Sequence, residues 1–305
     1  MNDVSLAAVE LWQVDTAGLS LQSAFYGSHT ELLRASMGRR FAPGEGLPGR
    51  VLQTRLPELC SLTEASFARY GALGASDISA ALAWPFAPSG TPEMVVVLLF
   101  APGAATLAAE LWAPDALGTL SRAQGLYRNL EDFERRSRGT RFAVLEGLPS
   151  LVFDQKDAAL LEYLSAESGF VRAEAAAAAG LSAALGLPVT DGDKVKAALV
   201  LFLSEVAPPV AAAEHWQVEK NRLRLSAGIY GPHGGLSLSA GHTLGRGEDL
   251  AGHVYEHKRP LLMTSLAPGG SFVRAEAASA AGLRAALGLP VMRGSRVVSV
   301  VTLMI

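Results

Sequence analysis

The chain is short of several things. It has one cysteine, Cys60, in 305 residues. That excludes an internal disulfide framework and any structural zinc site built on thiolates. Charged residues make up only 18% and aromatics 7%. The 26 basic and 29 acidic residues nearly cancel, so no electrostatic attraction to nucleic acid is expected. Long apolar runs are missing too. The longest, Met94 to Ala101, falls well short of the ~18 residues that suggest a membrane span. The start, Met1-Asn2-Asp3, has no basic region leading into an apolar stretch, so no signal peptide is expected. Half of the residues are apolar, which is ample for packed cores and argues against intrinsic disorder. These features together predict a soluble, intracellular (cytoplasmic) protein.

What is present in quantity is repetition. Trp12, Trp112 and Trp216 each follow a glutamate by two residues, in Glu10-Leu11-Trp12, Glu110-Leu111-Trp112 and Glu214-His215-Trp216. Tyr26, Tyr127 and Tyr230 come at matching offsets, then Glu45, Glu146 and Glu248. An aromatic-x-Arg signature follows as Phe67/Arg69, Phe170/Arg172 and Phe272/Arg274, and Pro85, Pro188 and Pro290 complete the set. Five landmarks in one order at one period define three units, 1–103, 104–207 and 208–305. Units two and three share their most similar stretch, Phe170–Val189 and Phe272–Val291, which points to duplication. Linker chemistry separates the units, Ala101-Pro102-Gly103-Ala104 and Ala207-Pro208-Pro209-Val210.

Each unit reads as mixed α and β. In unit one, a strand is expected over Ala8–Val14, then a turn at Asp15–Gly18. Leu19, Leu21 and Phe25 alternate as a second, half-buried strand, repeated by Leu223, Leu225 and Ile229. A Gly-rich turn, Pro43–Gly49, precedes a short helix expected from Arg50, and the chain is expected to be helical again after Phe67. In unit two that second helix is Ala173–Ala179, built of the best helix former and ended by Gly180. A hairpin of Ala183–Val189 with Val195–Phe202 turns at Asp191-Gly192, and Arg296–Met304 closes unit three.

This pattern resembles the GAF domain family. The residues that carry the resemblance are Glu10–Asp15, the strand ending in Tyr26, Phe41–Val51, Phe67–Arg69 and Ala80–Phe100. Unit two has Ser150 where unit one has Gly49, and unit three reads Gly245–Gly252 more loosely. The resemblance implies an α+β fold of three tandem domains, each a central antiparallel sheet flanked by helices. It also implies that a small molecule, where one binds, lies between the sheet and the helix-loop side. Sensory members carry long terminal helices, for which about eight residues between units leave no room. Either the chain is a piece of a longer protein or the array is itself the product.

The candidate pocket is assigned to Tyr26, Phe67, Arg69, Tyr70 and Trp84 of unit one, with Arg172 and Arg274 as counterparts. Each arginine has two readings, a helix-end salt bridge or cap, or an anion-facing pocket wall. The alanines at 173 and 175–179 let a helix approach its sheet closely and leave little void, so a ligand is expected in unit one before the others. Cys60 lacks the following histidine of a bilin site and reads as a small buried hydrophobe. The Gly-rich turn Gly44–Gly49 lacks a phosphate-binding loop's Lys-Ser/Thr and reads as a backbone turn. His253-Val254-Tyr255-Glu256-His257 fits the H-x-x-E-H pattern of inverted zinc peptidases. Yet the stretch that holds it, Gly252–Pro260, occupies the place of an ordinary unit-one segment, Gly49–Pro57, so no catalytic metal is assigned. Unit three collects five of the six histidines, which leaves room for adventitious metal binding. Charge differs along the chain, net −3 over 1–108, −3 over 109–204 and +4 over 213–305, which suggests head-to-tail attraction or docking on an acidic partner.

The expectation is thus a non-catalytic binding or regulatory module without a cofactor, with any small ligand in unit one. The alternative is a structural scaffold or accessory subunit with no ligand. A zinc hydrolase through His253 and His257 is a third, distant reading. A protein partner or self-association is expected.

Overall fold

The computed structural model describes residues 4–63, 67–69, 71, 78–102, 107–165, 170–204, 208–270 and 272–305. Unit one runs β1 (Leu6–Asp15), β2 (Gly18–Phe25), α1 (Thr30–Ser36), β3 (Arg40–Phe41), α2 (Gly46–Thr54), β4 (Glu58–Ser61), β5 (Ala80–Phe86) and β6 (Met94–Phe100). These strands form one antiparallel sheet in the order β3-β2-β1-β6-β5-β4.

Unit two repeats the plan with β7 (Leu107–Pro114), β8 (Leu120–Arg128), α3 (Glu131–Gly139), β9 (Arg141–Phe142), α4 (Gly147–Gln155), β10 (Ala159–Leu161), α5 (Ala173–Ala178), β11 (Leu181–Asp191) and β12 (Lys194–Ser204). Unit three has β13 (Ala212–Glu219), β14 (Arg222–Ile229), β15 (Thr243–Leu244), α6 (Asp249–His257), β16 (Leu261–Met263), α7 (Ala275–Ala280), β17 (Ala286–Arg293) and β18 (Arg296–Met304). A single 3-10 turn, Gly234–Leu236, stands where the other units have α1 and α3. All three sheets share one strand order. The fold is therefore α+β, three units each with a central antiparallel sheet and helices beside it.

Three local expectations shift. The helix expected from Arg50 begins four residues earlier, at Gly46, inside the Gly-rich turn. Pro48 is admitted because the first turn of a helix needs no partner for its N–H groups. The unit-two hairpin turns at Gly192-Asp193, because Asp191 already pairs with Lys194 and Gly192 takes the left-handed φ of +60°. The helix expected after Phe67 in unit one falls on residues outside the described ones.

Side chains alternate along each strand, and the two central strands of each sheet are buried on both faces. In β5 and β6, Ala81, Ala83, Val95, Val97 and Leu99 turn toward the unit's own helices and join Trp12, Phe41 and Val51. Leu82, Met94, Val96, Leu98 and Phe100 turn the other way, into a core shared by all three units. The units close into a ring. β4 lies against β8, β10 against β14, and β16 against β2. Each time the edge strand of one sheet meets the second strand of the next unit's sheet, so a heterologous contact repeated three times closes on itself about an approximate threefold axis.

Polar contacts pin this ring. The Leu59 N–H donates to Gln124 Oε1 (2.9 Å), and Gln124 Nε2 donates to the Pro57 carbonyl (3.2 Å). The Gly228 N–H donates to Glu162 Oε1 (2.9 Å) at the second joint. At the third, the Arg284 guanidinium lies 5.5 Å from the centre of the Phe25 ring, and the Leu6 N–H donates to the Pro209 carbonyl (2.9 Å).

The recurrent prolines mark the axis. Pro85, Pro188 and Pro290 sit where β5, β11 and β17 have run past their short edge partners β4, β10 and β16. Proline is tolerated in a strand where no ladder partner needs its N–H. All three line one axial cavity of about 40 Å³, together with Trp84, Leu187 and Leu289. No helix among the described residues is long and apolar enough to cross a membrane.

Candidate ligand pocket

The face of each sheet toward its helices carries one buried carboxylate. Glu10 and Trp12 are two residues apart on β1, so they share that face. The Trp12 indole donates to Glu10 Oε2 (2.8 Å), and the Tyr26 hydroxyl donates to Oε1 (2.8 Å). Arg69 then closes over the carboxylate with two nitrogens, Nη1 to Oε1 (2.5 Å) and Nη2 to Oε2 (2.9 Å). Nη1 also donates to the Ser36 hydroxyl, which itself donates to the Leu32 carbonyl (2.6 Å). Glu10 is 0% exposed and Arg69 4%. The guanidinium lies 4.7 Å from the Phe67 ring centre and 5.3 Å from that of Trp12, so aromatic faces cover its plane.

Unit two builds the same cluster. Trp112 (2.9 Å) and Tyr127 (2.6 Å) donate to Glu110, and Arg172 spans both carboxylate oxygens (2.6 and 2.8 Å) and reaches Ser137. In unit three, Trp216 (3.1 Å), Tyr230 (2.8 Å) and Thr302 (2.9 Å) donate to Glu214, with Arg274 bidentate on it. With no α1 counterpart to supply a serine, Arg274 donates instead to the Leu236 carbonyl of the 3-10 turn (2.9 Å). Asp249 comes within 3.6 Å of its Nη2.

Burial alone would raise the Glu110 carboxyl. The Arg172 charge, with hydrogen bonds from Arg172, Tyr127 and Ser137, outweighs it and holds the carboxyl below its ordinary range. Burial first, and the neighbouring glutamate second, push the hydroxyls of Tyr26, Tyr127 and Tyr230 well above the usual tyrosine range. These tyrosines are fixed donors. Burial also pushes the Cys60 thiol up to about 11, so its thiolate is scarce at neutral pH. Asp249 is raised mainly by burial.

The structure thus brings Tyr26, Phe67 and Arg69 together, and places Arg172 and Arg274 in the matching clusters. Arg172 and Arg274 stand at the N-cap positions of α5 and α7, but their side chains make no cap bond. Trp84 lies on the other face of its sheet, against the shared core and the axial cavity, because strand alternation sends it opposite to Ala83. Tyr70 lies outside the described residues. The pocket assignment omitted the glutamates, although each recurs two residues before a tryptophan. A charged residue recurring inside an apolar strand was the available signal.

Little space is left beneath the sheet in unit three. The lining of Glu214, Trp216, Asp249, Phe272, Arg274 and Thr302 leaves no room for a water-sized molecule. Larger hollows lie elsewhere. One of about 550 Å³ runs between α3 and α5, lined by Phe133, Arg136, Glu174 and Ala178. Another of about 640 Å³ opens where hairpin turns of the three units converge, lined by Glu93, Asp193, His257 and Lys258.

No family model matches the sequence, and no curated protein matches it. Solved structures do. The chain is similar to the A. aeolicus NLH2 GAF domain in an inactive state, at 21% identity and TM-score 0.27 over 32% of this chain and 58% of that one. It is similar to the GAF domain of a two-component sensor histidine kinase from Bacillus halodurans, at 19% identity and TM-score 0.27 over 31% and 63%. A third is the GAF domain of an Acinetobacter phosphoenolpyruvate-protein phosphotransferase, at 21% identity and TM-score 0.24 over 31% and 54%. The chain therefore spans less than two thirds of each of these structures, and each likeness covers about one unit of it. The chain is three copies of one six-stranded antiparallel unit in tandem, closed into a ring, and these GAF domains are similar to about one unit of it.

Proposed function

We propose that the chain is a non-catalytic binding module in which three GAF-like units form one scaffold for a protein partner. In this reading each unit's own ion pair fills the region between sheet and helices. The observation that carries it is the threefold recurrence of Glu10–Arg69, Glu110–Arg172 and Glu214–Arg274, each a bidentate pair at most 10% exposed at either side chain. A ligand entering there must separate the pair, and stranding one buried charge costs about 3–5 kcal/mol. The shared core argues the same way, since the units spend the backs of their sheets on one another. A module so closed meets partners on its outer helices and loops.

Native mass spectrometry of the full chain tests this, with the denatured mass and an absorbance scan on the same sample. Equal native and denatured masses with no visible absorbance are expected. A mass excess confined to the native state overturns the filled-pocket reading and returns the ligand-binding one.

A further inference from the structure

On α6, His253, Glu256 and His257 stand at i, i+3 and i+4, so one face of the helix carries all three. One ligand atom from each lies within 4.8 Å of the other two. The two imidazole rings are parallel to within 5°, with centres 6.2 Å apart. Glu256 and His257 are exposed and His253 is partly so, which leaves their side chains free to turn. Tetrahedral zinc bonds of about 2.0–2.1 Å bring neighbouring donor atoms to roughly 3.3 Å. Small side-chain rotations close the remaining distance, with no movement of the helix.

We propose that this face of α6 binds one divalent transition-metal ion, of the zinc, nickel or copper class. The donor set decides the class. Two imidazole nitrogens and one carboxylate oxygen suit those ions, whereas magnesium and calcium take oxygen ligands. The position helps, because the last turn of a helix presents unpaired carbonyls whose partial negative charge favours a cation. Lys258 and Arg259 line the hollow beside His257, and the Lys258 ammonium is engaged by the Ser295 carbonyl (3.1 Å). The trio is particular to unit three. Its counterparts are Arg50, Gln53 and Thr54 in α2, and Leu151, Asp154 and Gln155 in α4. Arg50 is committed to Glu58 through a bidentate pair. Three protein ligands on an exposed face leave coordination positions open toward the 640 Å³ hollow that His257 lines. The site can therefore hold a further donor from solvent or from a partner.

Isothermal titration of the full chain, stripped with EDTA and dialysed, tests the site with zinc chloride as the probe. The expected result is one ion per chain, with no heat from magnesium chloride. His253→Gln and His257→Gln should each weaken zinc binding at least about tenfold, consistent with loss of one ligand. Far-ultraviolet circular dichroism and the metal-free melting temperature of both variants should match the parent, since these side chains reach solvent. Cobalt chloride supplies a second readout, a visible absorption band that the His253→Gln/His257→Gln double variant lacks. Absence of zinc binding up to millimolar concentration overturns the proposal. So does a double variant that binds zinc as the parent does, because the ion then lies on other residues.

Discussion

Arg69 grips Glu10 through two hydrogen bonds across 59 residues of sequence, and both side chains are fully buried. The same relationship recurs as Arg172 on Glu110 and Arg274 on Glu214. Each glutamate also takes donors from its own unit's tryptophan and tyrosine, so the carboxylate is saturated. Such a cluster adds modest net stability when intact and a large penalty when broken. Arg172→Ala should lose about 3–5 kcal/mol, because Glu110 is left charged at 0% exposure. The double variant Arg172→Met/Glu110→Gln should lose less than Arg172→Ala alone, since no charge is stranded. Urea unfolding of the three proteins measures both. A double variant as unstable as Arg172→Ala would refute the account.

Two groups should shape the acid limb of the stability curve. Glu110 has a folded pKa below its unfolded value, so its contribution is complete above the ordinary carboxylate range and is lost as pH falls through the folded value. His215 acts earlier. It is buried at the joint between units two and three, where Leu11 and Leu111 stand in the other units. Asp157 lies 4.0 Å from its Nε2, with Ser299 donating to the same carboxylate. Burial lowers the imidazole below its ordinary 6.5 despite Asp157, so the fold holds it neutral. Protonation then favours the unfolded chain, and stability drops as pH falls through about 6.5. His215→Leu should remove that first drop and leave the second, lower one. Melting temperatures from pH 8 to pH 3 on both proteins would show it, and identical curves above pH 5 would count against it.

Much of this architecture was legible in residue spacing. The five landmarks resolve into three devices. Tryptophan with the glutamate two residues before it, tyrosine and the aromatic-x-Arg form the buried cluster. Glu45, Glu146 and Glu248 stand at helix N-caps and accept the Ala42, Ala143 and Gly245 N–H groups, and the prolines form the axis. Spacing could not show that Glu10 meets Arg69, because nothing local links residues 59 apart. Their recurrence in step is the clue, and by itself it fits a salt bridge and a pocket wall alike. The ring was harder to see. Met94–Phe100 is apolar at every position because both faces of β6 are buried, one under the unit's helices and one in the shared core. Read only for its length, the run excluded a membrane span and said nothing of a second buried face. Helix α3 is hard to read from the sequence because it is strongly polar, with Phe133 and Ser137 as its buried residues. It is held by that narrow contact and by exposed pairs such as Arg138–Glu134.

Leu145 occupies a left-handed conformation, φ +61°, where units one and three place Gly44 (+85°) and Gly247 (+72°). A Cβ in that region costs roughly 1–2 kcal/mol, which glycine avoids. The side chain recovers little, being 65% exposed beside Val144 at 71%. Leu145→Gly should therefore stabilise the chain by about 1 kcal/mol, less whatever the unfolded chain gains from glycine's freedom. A chemical denaturation series settles the sign. Loss of stability would mean that the Leu145 side chain makes a contribution its exposure conceals.

Asp249 is another departure within this turn, and its effect depends on pH. It takes the left-handed φ of +56° where Gly46 (+59°) and Gly147 (+68°) stand in the other units. Its Oδ1 accepts the Leu250 N–H (2.7 Å), and Asn can adopt the same backbone and keep that bond. Burial raises its carboxyl above 3.8, with Glu214 adding to the effect and Arg274 opposing it. A raised folded pKa means the ionised form is less stable in the fold than in the open chain. The cost is absent below about 3.8 and complete above the folded value. Asp249→Asn should therefore melt higher than the parent at pH 7, with the difference shrinking to nothing as the pH falls below 3.8. If the variant instead melts lower at pH 7, then the ionised Asp249 is a needed partner of Arg274, and the unit-three cluster is a triad of Glu214, Arg274 and Asp249 in place of a pair.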